Sequence, residues 1–494
     1  MLRHVACAVA LVLAVACGGG GGNPTWDCGP PLPVNLVLGR PTDTSIAISL
    51  LAEAGTTATC DLGTAPGAYD RPCPSGTSVA GEPIVFELRD LAPATRYYYR
   101  VRVQPPVGPE LVDAEHTFHT ARAPGATFHF GVQGDSHPER QGKMYSPELY
   151  GLNLANVAAR QPDFYLALGD DFSIERLLEH GELTQANVDL RYRCQRDALG
   201  VAGHSTALYL VNGNHEQAAG YLLTDAYRTP FADAPRFAGL ARVTYFPLPA
   251  PDGFYAGDAT ALAPIGPLRD YYAWEWGDAL FVTIDPYWHS PVPADTGVPG
   301  VGKADDPWAI SIGDAQYAWL RATLTASRAR YKFVFTHHPL GGGRGAAGMV
   351  HRQEWGGYDD DGTAYEFTAR RPGWAQPIHP LLVDAGVTIV FFAHDHVFAR
   401  EIVDGVIYQS TPNPADDTYT AWNADAYDPD AIALPGASYD PAAGVVLPNA
   451  GFLDVTVEPA GVRVDYVRAV LPGDEAAAGA RNGEVAFSYV APAR

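Results

Sequence analysis

Asp, Asn and His recur in five short clusters. They are Gly134-Asp135-Ser136-His137, Gly169-Asp170-Asp171, Gly213-Asn214-His215-Glu216, His337-His338-Pro339 and His394-Asp395-His396. Carboxylate, amide oxygen and imidazole suit Mn, Fe, Zn or Co rather than a purely soft metal. Asp135/His137 and His394/His396 are spaced i, i+2. In extended backbone alternate side chains share a face, so each pair is expected to present both groups to one cavity. A Gly precedes Asp135, Asp170 and Asn214, where it lets the chain turn sharply and approach an ion closely. Such a set, brought together in space, is suited to holding metal ions.

Each cluster follows an apolar stretch that reads as a strand, and ligand sites in α/β sheets lie beyond the carboxyl ends of strands. From residue 127 onward, strands at Thr127–Val132, Phe164–Leu168, Ala207–Val211, Lys332–Phe335 and Val387–Phe392 alternate with helices expected at Pro147–Gln161, 184–199, Asp314–Arg330 and Gln376–Asp384. Hairpins are expected at Tyr271–Ile284, 401–411 and 452–470. The pattern is a layered α/β sandwich with mixed sheets. The stretches 217–270, 286–310 and 340–375 read as long loops, which in compact domains tend to carry function. The aromatic set Tyr271, Tyr272, Trp274 and Trp276 has mostly strand periodicity and reads as packing. Asp359-Asp360-Asp361 reads as a solvated loop, with a calcium site as its alternative.

Ahead of this region, residues 32–121 read as short alternating strands separated by Gly, Pro and Asp, as in an all-β sandwich. The stretch Leu88-Arg89-Asp90-Leu91-Ala92-Pro93 through Tyr97-Tyr98-Tyr99-Arg100-Val101 to His116-Thr117-Phe118-His119-Thr120 resembles a fibronectin type III domain. Residues 121–126 read as a linker. At the amino terminus, Arg3 and His4 precede an apolar run of about 12 residues, too short for the ~20 that span a bilayer. Residues 1–16 read as an export signal. Ala16-Cys17 resembles a bacterial lipoprotein processing site, with Cys17 lipidated and residues 17–31 forming a Gly-rich tether. Cys28, Cys60, Cys73 and Cys194 remain for disulfides in an exported chain, with Cys60–Cys73 the most local pairing.

The five clusters taken together resemble the calcineurin-like metallophosphoesterase superfamily over roughly 127–470, with residues 471–494 as a C-terminal extension. With the β module ahead, the chain is most similar to the purple acid phosphatase branch. The resemblance implies a layered α/β/β/α sandwich preceded by an all-β, fibronectin type III-like domain. It implies two metal ions, divalent or trivalent, of Fe, Mn, Zn or Co. Asp135, His137, Asp170 and His396 would hold one. Asp170, Asn214, His337 and His394 would hold the other, with Asp170 between them. His215 would stabilise the transition state or protonate the leaving oxygen. The implied reaction is hydrolysis of phosphate monoesters by a water ionised at the metals, with a phosphodiesterase or nucleotidase as the nearest rival. A catalytically inactive surface-binding protein is the rival from another class. Purple acid phosphatases place a Tyr three residues after the bridging Asp. Here Ser173 stands there, and His137 is additional, so a ferric–tyrosinate colour is not expected. Ala393 replaces the usual Gly before the last His pair. The candidate substrate contacts are His351, Arg344, Arg352 and Asp171.

The 494 residues carry 33 Lys plus Arg against 56 Asp plus Glu, a formal charge of −23. Such a surface opposes long polyanions, so nucleic acid is not an expected partner. It does not oppose a small phosphorylated substrate, because two metal dications outweigh the carboxylates of Asp135 and Asp170. The expected location is the bacterial cell envelope, with membrane contact only through the lipid anchor.

Overall fold

The structure, a computed structural model, describes residues 32, 34–79, 81–298, 300–339, 343–427 and 444–493. The expected leader, Cys17, the tether and Cys28 lie outside the described residues.

Two mixed sheets dominate. One has nine strands, and Phe128–Gln133, Phe164–Ala167 and Ala207–Leu210 run parallel at its centre. The other has eight strands, with Ala279–Thr283, Tyr331–Phe335, Ile389–Phe392 and Val406–Ser410 parallel. Alternation along each strand decides which face meets what. Phe164 and Leu166 point inward to the opposite sheet, whereas Tyr165 and Ala167 point outward to helices. The inter-sheet layer is aromatic. Phe130 lies 5.1 Å from Phe281 and 5.6 Å from Phe333, and Phe164 lies 5.1 Å from Phe281. Burying each such ring stabilises the fold by roughly 1.5–3 kcal/mol.

Helices cover the outer faces. Pro147–Arg160 starts where Ser146 Oγ accepts the Leu149 amide at 3.3 Å, with Pro147 in the first turn, and stops at Gln161 in the left-handed region. Gln185–Gly203 and Ala234–Tyr245 pack beside it. Asp314–Ala326 and Ile378–Asp384 connect the parallel strands of the second sheet. The layers are thus α/β/β/α. Each βα unit delivers one cluster to the same end of the sandwich.

The β-rich region at 35–119 precedes the catalytic domain, as expected, and is joined to it by strand pairing. Thr57–Gly63, Arg96–Gln104 and their partners form a six-stranded sheet of their own. Asn35–Gly39, Ile46–Leu51 and Ile84–Leu88 share a buried cluster with that sheet and also extend the nine-stranded sheet, because Gly39 pairs in parallel with Leu208. Buried polar contacts seal the join. Arg196 Nε donates to Asn35 Oδ1 at 2.7 Å, and the Tyr99 hydroxyl donates to the His204 carbonyl at 2.5 Å. The linker 121–126 is pinned by Arg122, which holds both Asp163 oxygens at 2.7 and 2.8 Å.

The stretch after residue 470 differs from an extension. Val485–Ala491 is the edge strand of the nine-stranded sheet, and its Tyr489 hydroxyl donates to Gln409 of the other sheet at 3.0 Å. Cys60 and Cys73 form a disulfide, and Cys194 is disulfide-bonded as well. Among the described residues no helix is long and apolar enough to cross a membrane.

Candidate metal centre

The five clusters meet at the carboxyl ends of the parallel strands. Asp135 follows Phe128–Gln133, Asp170 follows Phe164–Ala167, and Asn214 follows Ala207–Leu210. From the second sheet, His337 follows Tyr331–Phe335, and His394 and His396 follow Ile389–Phe392. The backbone that aims them is not extended, as the i, i+2 spacing had suggested. His137, Asp170, His394 and His396 sit at φ 51°, 59°, 69° and 55°. This left-handed region costs roughly 1–2 kcal/mol per non-Gly residue and is tolerated where the surroundings fix it. These four ligands therefore lie on tight reversals just past their strands, not on the strands' pleat.

Potential ligand atoms of Asp135, His137, Asp170 and His396 all lie within 4.8 Å of one another, and so do those of Asp170, His337 and His394. Asn214 belongs with the second set: its Oδ1 is 3.0 Å from His337 Nε2 and 3.2 Å from His394 Nδ1. Asp170 Oδ2 stands between the sets, 3.5 Å from His137 Nε2 and 3.2 Å from His337 Nε2, with no hydrogen bond of its own. His137 Nε2 and His396 Nε2 face each other at 2.9 Å. Buried ring nitrogens and an unbonded carboxylate oxygen converging without donors between them are the environment a cation completes. The residues present therefore fit metal ions.

Three of the rings have a partner on the far side. His137 Nδ1 meets Glu139 Oε1 at 2.8 Å, His337 Nδ1 meets the Leu168 carbonyl at 2.7 Å, and His394 Nε2 lies 3.3 Å from Asp295 Oδ2. Such partners fix tautomer and orientation. Glu216 serves the loop. Its carboxylate accepts the amides of Gly213, Asp170, Asp171 and Phe172 at 2.5, 3.0, 2.8 and 2.9 Å. Gly213 allows this crowding: a Cβ there would lie 2.2 Å from Asp170 Oδ1 and 2.6 Å from Glu216 Oε2.

Electrostatics follow from burial and crowding. Burial alone would raise Asp170, but His337 and His215 hold it well below the usual carboxylate range. Burial pushes the His137 imidazole far down, and the nearby Arg140 charge adds to this. His215 goes the other way: against its burial, Asp170 and Glu175 raise it to about 9. Its Nδ1 meets Glu175 Oε2 at 2.6 Å, and Arg140 Nη2 stands 3.1 Å from its Nε2.

The candidate substrate contacts divide. Arg344 lies at the centre's edge, hydrogen-bonded to the His394 carbonyl and to Asp395. Arg352 lies 3.6 Å from Asp360, and His351 packs against the His379 ring at 6.0 Å. Neither hydrogen-bonds or ion-pairs with a ligand residue among the described residues. Asp171 is 1% exposed and accepts from Gln133 at 2.8 Å, and burial pushes its carboxyl well up. It is placed as support for the loop. His338 points to Tyr287, whose hydroxyl is 2.5 Å from its Nδ1. Ser173 is buried beside the site, where a colour-giving Tyr would otherwise stand.

Sequence reasoning gave no role to Glu139, Arg140, Glu175, Glu216 or Asp295. Glu216 completes a quoted cluster, and Glu139 and Arg140 follow one directly, so proximity was their available signal. Glu175 opens the short helix Glu175–Glu179 and Asp295 arrives from a loop, and no spacing announces either.

A two-sheet sandwich with such a cluster at the strand ends defines a metallophosphoesterase, a phosphoric ester hydrolase. The family model described as calcineurin-like phosphoesterase matches residues 128–398, and the chain belongs to that family. No curated protein sequence matches the chain. The purple acid phosphatase PPD1 from yellow lupin (Lupinus luteus) seeds is similar in fold, with TM-score 0.56 and 14% identity over 93% of this chain and 74% of that one. The structure of PhoD is also similar, with TM-score 0.59 and 15% identity over 90% of this chain and 89% of that one.

Proposed function

We propose that this chain is a dinuclear, acid-phosphatase-like enzyme that hydrolyses phosphate monoesters. The observation that carries the reading is the placement of Asp170 Oδ2 between two ligand sets, with His215 beside it. Asp135, His137, Asp170 and His396 would hold one ion, and Asp170, Asn214, His337 and His394 the other. When bound, such ions neutralise phosphate oxygens and activate a water. His215, raised to about 9, is an imidazolium near neutral pH: Glu175 accepts its Nδ1 proton, and its Nε2 proton is the one left to give. It donates that proton to the leaving oxygen. Arg140, whose guanidinium borders His215, offers charge to a further phosphate oxygen. A monoester has that additional charged oxygen and a diester does not, which favours monoester over diester.

Turnover of p-nitrophenyl phosphate and of its bis-ester, each with Mn²⁺, Zn²⁺ or Fe, tests the reading. The monoester should be the better substrate with at least one metal. No turnover of either ester with any metal would sink the hydrolase reading, and faster diester turnover would sink the monoester preference. His215→Ala should keep its metal and lose about 10²–10⁴ in kcat; undiminished kcat would remove His215 from the chemistry. We also propose that the chain is exported and lipid-anchored at Cys17 in a bacterial cell envelope. The Cys60–Cys73 disulfide supports an oxidising compartment. The same reading has no nucleic-acid partner, given the acidic surface.

A further inference from the structure

A second group of metal-ligating side chains lies apart from the centre. Asp258 follows the short strand Ala256–Gly257, Asp270 precedes the strand Tyr272–Trp276, and His289 lies in the loop after Ala279–Thr283. Their ligand atoms fall within 4.8 Å of one another. His289 Nε2 is 3.0 Å from Asp270 Oδ2 and 3.4 Å from Asp258 Oδ2. Ligands about 2.1 Å from a tetrahedral ion stand roughly 3.4 Å apart, so these separations nearly match.

Two independent observations point to a cation. Asp258 and Asp270 are 2% and 1% exposed, and Asp258 Oδ2 and Asp270 Oδ1 have no hydrogen-bond partner. Unpaired buried carboxylate oxygens are costly. Among the described residues neither carboxylate pairs with Lys or Arg, so a single imidazole faces two acids. Asp285, fully buried, adds negative charge nearby. Without an ion, the group must retain protons: His289 is pushed up to about 10 by its two acids against its burial, and burial pushes Asp270 up to about 7. A dication replaces those protons and satisfies the orphan Asp258 Oδ2, which stands beside His289 Nε2. His289 is partly exposed, at 19% of its side chain, which leaves an entry path and room for water as a fourth ligand.

We propose that Asp258, Asp270 and His289 form a further metal site, binding a dication of the Zn or Mn class and clamping the 217–270 insertion to the second sheet. Two carboxylates and one imidazole suit such an ion better than Ca²⁺ or Mg²⁺, which prefer oxygen alone. The clamp reaches toward the main centre through the His289 loop. Asp285 in that loop accepts from Asn212 at 2.6 Å, and Tyr287 holds His338, whose ring lies 4.7 Å from that of His394.

The test strips the full chain with a chelator, reloads it with Zn²⁺, and counts ions by elemental mass spectrometry. Asp270→Asn and His289→Gln should each carry one ion per chain fewer than wild type. With Mn²⁺ in place of Zn²⁺, wild type should show one magnetically isolated ion by electron paramagnetic resonance, and that signal should vanish in both variants. Equal ion counts in wild type and in any variant that stays folded by circular dichroism would overturn the site. Should neither variant fold, the isolated Mn²⁺ signal of wild type decides: its absence overturns the site. His337→Ala separates this inference from the proposed function. It should lose metal from the main centre and keep the isolated signal. If it loses none while Asp270→Asn loses one, the dinuclear reading falls and this site stands.

Discussion

Gly213→Ala is the sharpest probe of how the centre is built. A Cβ at 213 would lie 2.2 Å from Asp170 Oδ1, 2.4 Å from the Asp170 amide nitrogen and 2.6 Å from Glu216 Oε2, where ordinary contact begins near 3.4 Å. Gly213 is not in the left-handed region, so the substitution acts through contact and not through backbone strain. The methyl must displace the Asp170 loop by about 1 Å, and a misplacement of that size costs about 100-fold in rate. That corresponds to about 2.7 kcal/mol of transition-state stabilisation. Overpacking adds about 1–3 kcal/mol of destabilisation. The loop is held by three of its amides on Glu216, so it cannot yield without releasing some of them. Steady-state kinetics on p-nitrophenyl phosphate, metal content and a thermal melt should be measured together. We expect kcat/KM down about 100-fold with metal content reduced. A kcat/KM within about threefold of wild type, at full metal content, would refute the claim that close approach at 213 sets the geometry.

Three further expectations follow from the same structure. Gly151→Ala lies in the helix Pro147–Arg160 where a Cβ would meet nothing within 4 Å; it should stabilise by about 0.5–1 kcal/mol without changing rate, read as a raised melting temperature. Glu175→Gln keeps the shape beside His215 but removes the charge, and kcat should fall about 10–100-fold with KM nearly unchanged; an equal loss in both parameters would argue for disturbed binding instead. Glu401 is buried, accepts the Ala346 and Ala347 amides at 2.7 and 3.2 Å, and is pushed up to about 7 by burial. Its folded-state pKa lies above its unfolded one, so its contribution is fully present below about pH 4.5 and is lost as pH rises through about 7. Glu401→Gln should therefore melt higher than wild type at pH 8, by up to about 3 kcal/mol of stability, and match it at pH 4.5.

Much of the centre was legible because its residues combine type with place. Asp135, Asp170, Asn214, His337 and His394 each end an apolar run, and parallel strands bring such ends together whatever their distance along the chain. The conformation was not legible. Asp and His tolerate a left-handed turn, but nothing in Asp135-Ser136-His137 says that His137 adopts one. The helpers on the far sides of the rings were hidden for another reason. Glu175 acts across space from a helix start and Asp295 from a loop, and Asp258, Asp270 and His289 lie 12 and 19 residues apart with no motif between them. The strand pattern of 35–119 showed which side chains are buried but not what they are buried against. Alternation is the same whether Asn35–Gly39 pairs within its own sandwich or beside Ala207–Leu210.

The strand that delivers Asp135 has neighbours of very different age in the growing chain. Phe128–Gln133 lies between Phe164–Ala167, made soon after it, and Gly451–Glu458, where Phe128 pairs with Val457. Until that late hairpin is synthesised, one edge of the central strand is bare and the loop bearing Asp135 and His137 has support on one side only. Such long-range pairing folds slowly, and a bare edge invites pairing between molecules. The candidate ligands span residues 135–396, so no shorter nascent chain holds the whole set. The second neighbour of the strand that carries Asp135 therefore arrives only with residues 451–458, made after every candidate ligand.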